Sequence, residues 1–255
     1  MTLQGKIAAV TGGGGGIGRS ACELFAQNGA LVYILEINKA AAEEASSQIA
    51  AAGGTAIAIP TDVSSEESVR AAFAQIQRQS GGIDILYNNA SVFWGTKDCA
   101  LAGMDMAVFE RILRINLFGT AYCTKYAIPL LKARGGGSII MTSSSCGLIG
   151  VPNCDAYSAS KGGIISMTRS LAVEYGPDGI RTNCIAPAAI HTPMIYESDL
   201  NKPEFDENWF LTQKTPLRRW GTAQDIANVA LFLASDASSY INGAVIVADA
   251  GITIT

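Results

Sequence analysis

The chain has one histidine, His191, and six cysteines (Cys22, Cys99, Cys123, Cys146, Cys154 and Cys184) with no C-x-x-C spacing among its 255 residues. A zinc site draws on several such ligands close together, so no metal is expected. Cysteines scattered through a chain of this size read as free thiols in a reducing, cytoplasmic setting, not as a disulfide framework. Charge is scarce too: 16% of residues are charged, the net charge is −4, and no basic run occurs. That argues against nucleic acid or an anionic membrane surface as a partner. No apolar run nears the ~18 residues that span a bilayer. The N-terminal residues show no basic segment leading into an apolar one, so no signal peptide is read there.

What the chain does have is apolar side chains, 49% of residues, which excludes a disordered chain. At this length roughly 70–75% of the unfolded surface can be buried without staples. Short apolar, β-rich runs at 7–10, 31–35, 56–59, 83–87, 138–141, 181–185 and 244–247 alternate with helical patterns such as 17–28, 39–52, 65–79 and 223–234. Strand and helix in alternation mean βαβ units and a parallel sheet. Strands apolar nearly throughout imply helices on both faces. Right-handed crossovers then give an α/β, doubly wound parallel sheet of about seven strands. No linker or repeat interrupts the pattern, so residues 1–255 read as a single domain. The stretch 188–216, with Pro193, Pro203, Pro216 and several aromatics, does not fit the alternation. A loop this long is usually functional, and here it reads as a lid.

The first strand runs into Thr11-Gly12-Gly13-Gly14-Gly15-Gly16-Ile17-Gly18, and a helix follows. Glycine allows positive φ and close approach of backbone to a ligand. A helix N-terminus there offers free N–H groups to a pyrophosphate. Two registers fit: Gly13, Gly15 and Gly18 as G-x-G-x-x-G, or Gly12, Gly16 and Gly18 with wider spacing. The second strand ends in Glu36, twenty residues after Gly16. A carboxylate at that strand tip can accept both hydrogen bonds of an adenosine ribose diol and would repel a 2′-phosphate. No Lys or Arg stands at 13–16 or 37 to neutralise such a phosphate, so NAD is the expected cofactor over NADP.

Tyr157 and Lys161 stand at i and i+4, on one helix face. A phenol titrates near 10, too high for a base at neutral pH. A nearby ammonium favours the phenolate, and a drop of about three units corresponds to roughly 4 kcal/mol. Ser144 lies at the end of the fifth strand, where open α/β sheets bind ligands, and can hold a substrate oxygen beside the tyrosine. Ser143 and Ser145 are its chemical rivals.

With these motifs in this order, the chain resembles the short-chain dehydrogenase/reductase family over nearly its whole length. Thr11–Gly18 matches the family's T-G-x-x-x-G-x-G, and Asn88-Asn89-Ala90 resembles its N-N-A-G. The resemblance implies a Rossmann-like fold and an NAD-binding set of Gly12, Gly16, Ile17, Gly18, Glu36, Asp62, Val63, Asn89, Ala90, Tyr157, Lys161, Pro187, Ile190 and Thr192. It implies Asn116, Ser144, Tyr157 and Lys161 as the catalytic residues. Ser144 would orient the substrate oxygen, and Tyr157 would be general acid or base. Lys161 would lower the tyrosine pKa and bind the nicotinamide ribose, and Asn116 would anchor a water that relays the proton. Three glycines of the family pattern are replaced, by Ser91, Ala188 and Ala250, which bears on cofactor packing.

Position along the chain suggests Ser144, Tyr157, Trp94, Cys146, Asn153, His191 and Trp209 as substrate-binding residues. Phe93, Ile149, Met194, Tyr196, Phe205 and Phe210 are further candidates. His191 either touches substrate or fills its own loop, and the lid aromatics either face substrate or pack the lid. An apolar pocket suggests a hydrophobic or cyclic secondary alcohol or its ketone. The competing readings are a 3-oxoacyl thioester reductase, against which Glu36 argues, and a non-catalytic dinucleotide-binding protein, against which the Ser144/Tyr157/Lys161/Asn116 set argues. The resemblance further implies a homodimer or homotetramer, assembled through the long helices after Asp105 and Tyr157 and through the C-terminal strand.

Overall fold

In the computed structural model, which describes residues 2–255, seven parallel strands form one sheet in the order β3-β2-β1-β4-β5-β6-β7. They are β1 (Ile7–Thr11), β2 (Leu31–Glu36), β3 (Thr55–Pro60), β4 (Ile85–Asn88), β5 (Gly137–Thr142), β6 (Ile180–Pro187) and β7 (Val245–Ala248). The connecting helices are α1 (Gly16–Gln27), α2 (Lys39–Ala51), α3 (Glu66–Ser80), α4 (Met106–Leu113), α5 (Gly119–Ala133), α6 (Asp155–Tyr175), the short α7 (Glu207–Trp209) and α8 (Ala223–Ala234). The fold is the Rossmann-like doubly wound sheet expected from the alternation of runs. Strand boundaries moved by a residue or two.

Alternation within each strand divides the core. Ala8, Val10, Val32 and Ile34 pack with α1, α2 and α8 on one face, through Phe25, Ile49 and Ile226. Ala9, Tyr33 and Leu35 pack on the other with α3, α5 and α6, through Phe73, Leu131 and Ile164. Because side chains alternate sides with period two, a strand buried on both faces is apolar at most positions, and buried Ser138 and Asn183 are tolerated by donating to the Leu233 and Ile241 carbonyls. That is why these runs lack the polar alternation of a half-exposed sheet.

Strand order reverses between β1 and β4, so the loops that follow them leave in opposite directions and open a crevice at their carboxyl ends. Helix caps support this arrangement. Asn38 accepts from Ala41 N–H, Ser65 accepts from Ser68 N–H, and Thr222 with Asp225 forms a capping box. The N-terminus of α1 is different. Its N-cap is Gly15, with no side-chain hydrogen bond, so its first N–H groups are left to the crevice. No helix among the described residues is long and apolar enough to cross a membrane.

Candidate active site

The crevice is a cleft of about 760 Å³ that runs from Gly12 and Glu36 to Ser144, Tyr157 and the segment 188–216. One end of it is built by the glycine run. Gly12 takes φ +64° and Gly16 φ +49°. A Cβ on Gly12 would lie 2.9 Å from the Ala90 Cα, and one on Gly18 would lie 2.1 Å from the Gly12 carbonyl oxygen. Gly15 has open space around it. Gly12 and Gly16, both at positive φ, line the cleft, and Gly18 packs on the Gly12 carbonyl, as the wider spacing Gly12, Gly16 and Gly18 requires. Gly13 is constrained for another reason: a Cβ there would meet Cys22 Sγ at 2.8 Å, inside the core.

The ends of β1 and β4 are tied together by Thr11, whose Oγ1 accepts from the Asn89 and Ala90 N–H groups, both at 3.0 Å. Asn89 Nδ2 donates to the Thr11 and Gly12 carbonyls. Glu36 accepts from Gly14 N–H at 3.1 Å and from Asn38 N–H at 3.0 Å, which orients its carboxylate toward the glycine loop. Asp62 Oδ1 accepts from both the N–H and the hydroxyl of Ser64. Ile17, Asp62, Val63, Pro187, Ile190 and Thr192 all line the cleft, and Thr192 faces Gly16 across it.

The reactive end sits where β5 meets α6. Ser144 follows β5, and its Oγ accepts from Cys146 N–H at 3.2 Å. Tyr157 stands in the first turn of α6, which Asp98 caps: its carboxylate accepts from the Ala156 and Tyr157 N–H groups at 3.1 and 2.9 Å. Phe93 packs edge-on against the Tyr157 ring at 4.9 Å. Lys161 is 1% exposed. Its Nζ donates to the Thr142 carbonyl at 2.9 Å and lies 5.4 Å from the Tyr157 ring centre.

Lys161 is expected to make the phenol acidic together with a positive nicotinamide ring; in the protein by itself the phenol shifts the other way. Burial pushes Tyr157 above its ordinary value, the Cys146 and Cys154 thiols add to that, and the Ser144 hydroxyl opposes it. Burial also lowers Lys161, to about 8. Desolvation disfavours both charged forms, and it is the largest influence on each.

Asn116 lies in a π-helical turn, Arg114–Phe118, between α4 and α5, a distortion frequent at functional sites. Its Oδ1 accepts from Val92 N–H at 2.8 Å, and its Nδ2 donates to the Val92 carbonyl at 3.0 Å and to Ser160 Oγ at 3.2 Å. The side chain is thus committed to holding the loop after β4 against α6. A water-holding role would rest with its backbone carbonyl, which already accepts from Thr120 Oγ1 at 2.7 Å.

Of the substrate candidates, Ser144, Cys146, Asn153 and Tyr157 line the cleft, together with Phe93, Ile149, Met194 and Phe210. Trp94, His191 and Trp209 do not form part of its wall. Trp94 lies beneath the Lys97 ammonium. His191 packs edge-on against Trp220 at 6.3 Å, the loop-filling alternative. Trp209 is 49% exposed beside Lys214, because the helical turn that turns Phe210 inward turns its neighbour out. Asp98 had no local signal, since its partners lie 58 and 59 residues further on. Of the three replaced glycines, Ala250 alone is strained, at φ +58°. Among the described residues the other positive-φ non-glycines are Asn153 and Arg218.

Residues 12–253 match the family model described as enoyl-(acyl carrier protein) reductase. The uncharacterized oxidoreductase YxbG of Bacillus subtilis is 43% identical over 98% of this chain and 92% of its own length. The 2,5-dichloro-2,5-cyclohexadiene-1,4-diol dehydrogenase of Sphingobium indicum is 37% identical over 98% of both chains. Among solved structures, a 7α-hydroxysteroid dehydrogenase complexed with NADH and 7-oxo glycochenodeoxycholic acid superposes with a TM-score of 0.91 and 35% identity, over 98% of this chain and 94% of that one.

Proposed function

Because the chain belongs to the short-chain dehydrogenase/reductase family, an oxidoreductase family that binds a nicotinamide dinucleotide, we propose that it oxidises a hydrophobic, cyclic secondary alcohol, or reduces the matching ketone, with NAD(H) as coenzyme. One observation carries this reading. A single cleft joins a dinucleotide cradle to the Ser144 and Tyr157 hydroxyls, and its wall beyond them is largely apolar (Phe93, Ile149, Val151, Met194, Ile195 and Phe210), with Asn153, Ser198 and Lys202 as its polar members. The two relatives named above with substrates act on ring-borne oxygens, which agrees in kind.

The residues fit a nicotinamide dinucleotide. Gly12 and Gly18 leave no room for a Cβ, the α1 N-terminus lacks a side-chain cap, and the Glu36 carboxylate at the tip of β2 suits a ribose diol. Lys161 and Thr192 would hold the nicotinamide end. When bound, the oxidised coenzyme supplies a hydride acceptor and a positive ring near the phenol. Ser144 Oγ holds the substrate oxygen. Tyr157 takes the alcohol proton in oxidation and returns it in reduction. Asp98 and Phe93 fix the phenol's position, and Asn116 fixes the loop that carries Phe93. The segment 188–216 serves as the lid. Faces near Met106 and Phe118, and the open edge of β7 with half-exposed Val247, suit assembly into a homodimer or homotetramer, which light scattering would read.

The deciding experiment mixes the protein with NAD and a panel of alcohols and follows the reduced coenzyme. Tyr157→Phe should lower turnover by about a hundredfold or more while leaving NAD affinity within about threefold. Turnover that survives the substitution overturns the mechanism. Activity on small sugars but none on hydrophobic alcohols overturns the substrate class.

A further inference from the structure

Arg111 supplies the one guanidinium of the cleft wall among the described residues, and the chemistry above gives it no part. It stands in the last turn of α4, beside the buried Ile112. Its Nη1 donates to Ser64 Oγ at 3.2 Å. A guanidinium only donates, and a hydroxyl carries a single proton. Ser64 Oγ therefore accepts from Arg111 and gives its proton to Asp62 Oδ1, 2.7 Å away. The Ser64 N–H donates to the same oxygen at 2.8 Å, and the Asp62 N–H donates to Ser68 Oγ at 3.0 Å. With Oδ1 filled and its backbone held, Asp62 keeps Oδ2 as an acceptor that no hydrogen bond among the described residues uses.

The inference rests on the coenzyme reading above, in which Glu36 at the tip of β2 takes the ribose diol. β3 pairs with β2 on the outer side of the sheet, and the turn that follows it, Thr61, Asp62 and Val63, lines the same cleft. A base carried by that ribose extends over the end of β3. The start of α5 packs on this turn: a Cβ on Gly119 would lie 3.0 Å from Val63 Cγ2. Arg111 and Ile115 line the cleft with it, and Ile37, Val63 and Ile115 supply apolar faces for a flat ring. Adenine carries an exocyclic amino donor, which suits Asp62 Oδ2. Hypoxanthine carries a carbonyl oxygen there, which a carboxylate repels. We propose that Arg111 is a positioning residue for the coenzyme: through Ser64 it fixes the Asp62 carboxylate as the acceptor for the adenine amino group. Without the guanidinium the Ser64 hydroxyl turns to water, and the carboxylate loses its fixed aim.

The test reads binding and needs no alcohol. Titration calorimetry on the full chain compares NAD with nicotinamide hypoxanthine dinucleotide, which has a carbonyl oxygen in place of the amino group. The wild type should prefer NAD by about tenfold or more. Arg111→Met should cut that preference about threefold to tenfold, mainly by weakening NAD. Arg111→Lys still offers a charged donor to Ser64 and should recover part of it. Arg111 is exposed, so both substitutions leave the core intact. Ser64→Ala should lose about as much as Arg111→Met, and the double variant no more than either, because both changes break one relay. An unchanged preference in Arg111→Met, a loss shared equally by the two dinucleotides, or losses that add in the double variant would each overturn the relay. A wild type that binds both dinucleotides equally overturns it too, whereas one that binds neither overturns the coenzyme reading itself.

Discussion

Gly18→Ala should destabilise this protein and Gly15→Ala should not, although both lie in one glycine-rich run. A Cβ on Gly18 would stand 2.1 Å from the Gly12 carbonyl oxygen, 2.6 Å from Asn89 Nδ2 and 2.8 Å from the Gly12 carbonyl carbon. The obstacle is backbone, held in place by Asn89 as well as by the turn itself. Bringing that contact to the tolerated 3.0 Å requires a shift of nearly an ångström. Overpacking of this kind costs about 1–3 kcal/mol. In a domain of this size about 1 kcal/mol moves Tm by roughly 2–4 °C, so Gly18→Ala should melt several degrees low. A Cβ on Gly15 would meet nothing within 4 Å, and that residue's φ of −156° is extended backbone that any residue adopts. Scanning calorimetry on the three proteins decides the matter, and NAD titration should show weaker binding by Gly18→Ala because Gly12 faces the cleft. If Gly18→Ala melts with the wild type, or if the two variants fall equally, the close approach of α1 to β1 is not the constraint argued here.

Three other perturbations test separate parts of the site. Ala250 sits at φ +58°, a left-handed conformation that costs an L residue about 1–2 kcal/mol. Ala250→Gly should therefore raise Tm by a degree or more in calorimetry, even after the entropy cost of glycine, and a lowered Tm would refute the strain. Glu36→Ala removes charged hydrogen-bond acceptors worth about 1.5–3 kcal/mol each. NAD affinity should fall about tenfold to a hundredfold while NADP affinity changes less, and an unchanged ratio of the two refutes the role of that carboxylate. Lys161 is lowered by burial from 10.5 to about 8, so between those values the unfolded chain binds more protons and stability rises with pH. Its burial penalty, about 3 kcal/mol, is fully present below pH 8. Lys161→Met should thus gain most relative to wild type in urea titrations near pH 7, with the difference shrinking toward pH 10.5. A difference independent of pH would show that the amine titrates normally.

Candidate residues at strand and helix ends came together in one cleft more often than those picked from loops. Gly18, Glu36, Ser144, Tyr157 and Lys161 occupy the ends of strands and the starts of helices, where residue type is dictated by backbone geometry and by ligand chemistry. Their spacing therefore carries over from chain to fold. Trp94, His191 and Trp209 were chosen by proximity in sequence to such positions, and each turned away. In a loop, adjacent side chains point in different directions, so closeness along the chain does not give closeness in space. Asp98 shows the converse, because a carboxylate 58 residues before Ala156 closes the helix that presents Tyr157.

The order of apolar runs was enough by itself to determine a doubly wound parallel sheet, because burial on both faces keeps most strand positions apolar. The crevice follows instead from the reversal of strand order between β1 and β4, which the sheet topology decides while every strand runs parallel. Tertiary structure alone set Gly12 against Ala90 and Gly18 against the Gly12 carbonyl, because those contacts depend on how α1 packs on β1 and β4. It alone decided the protonation preferences of Tyr157 and Lys161. A helical turn brings an amine near a phenol in any solvent, but only packing sets how much water either retains, and here burial is the largest influence on both.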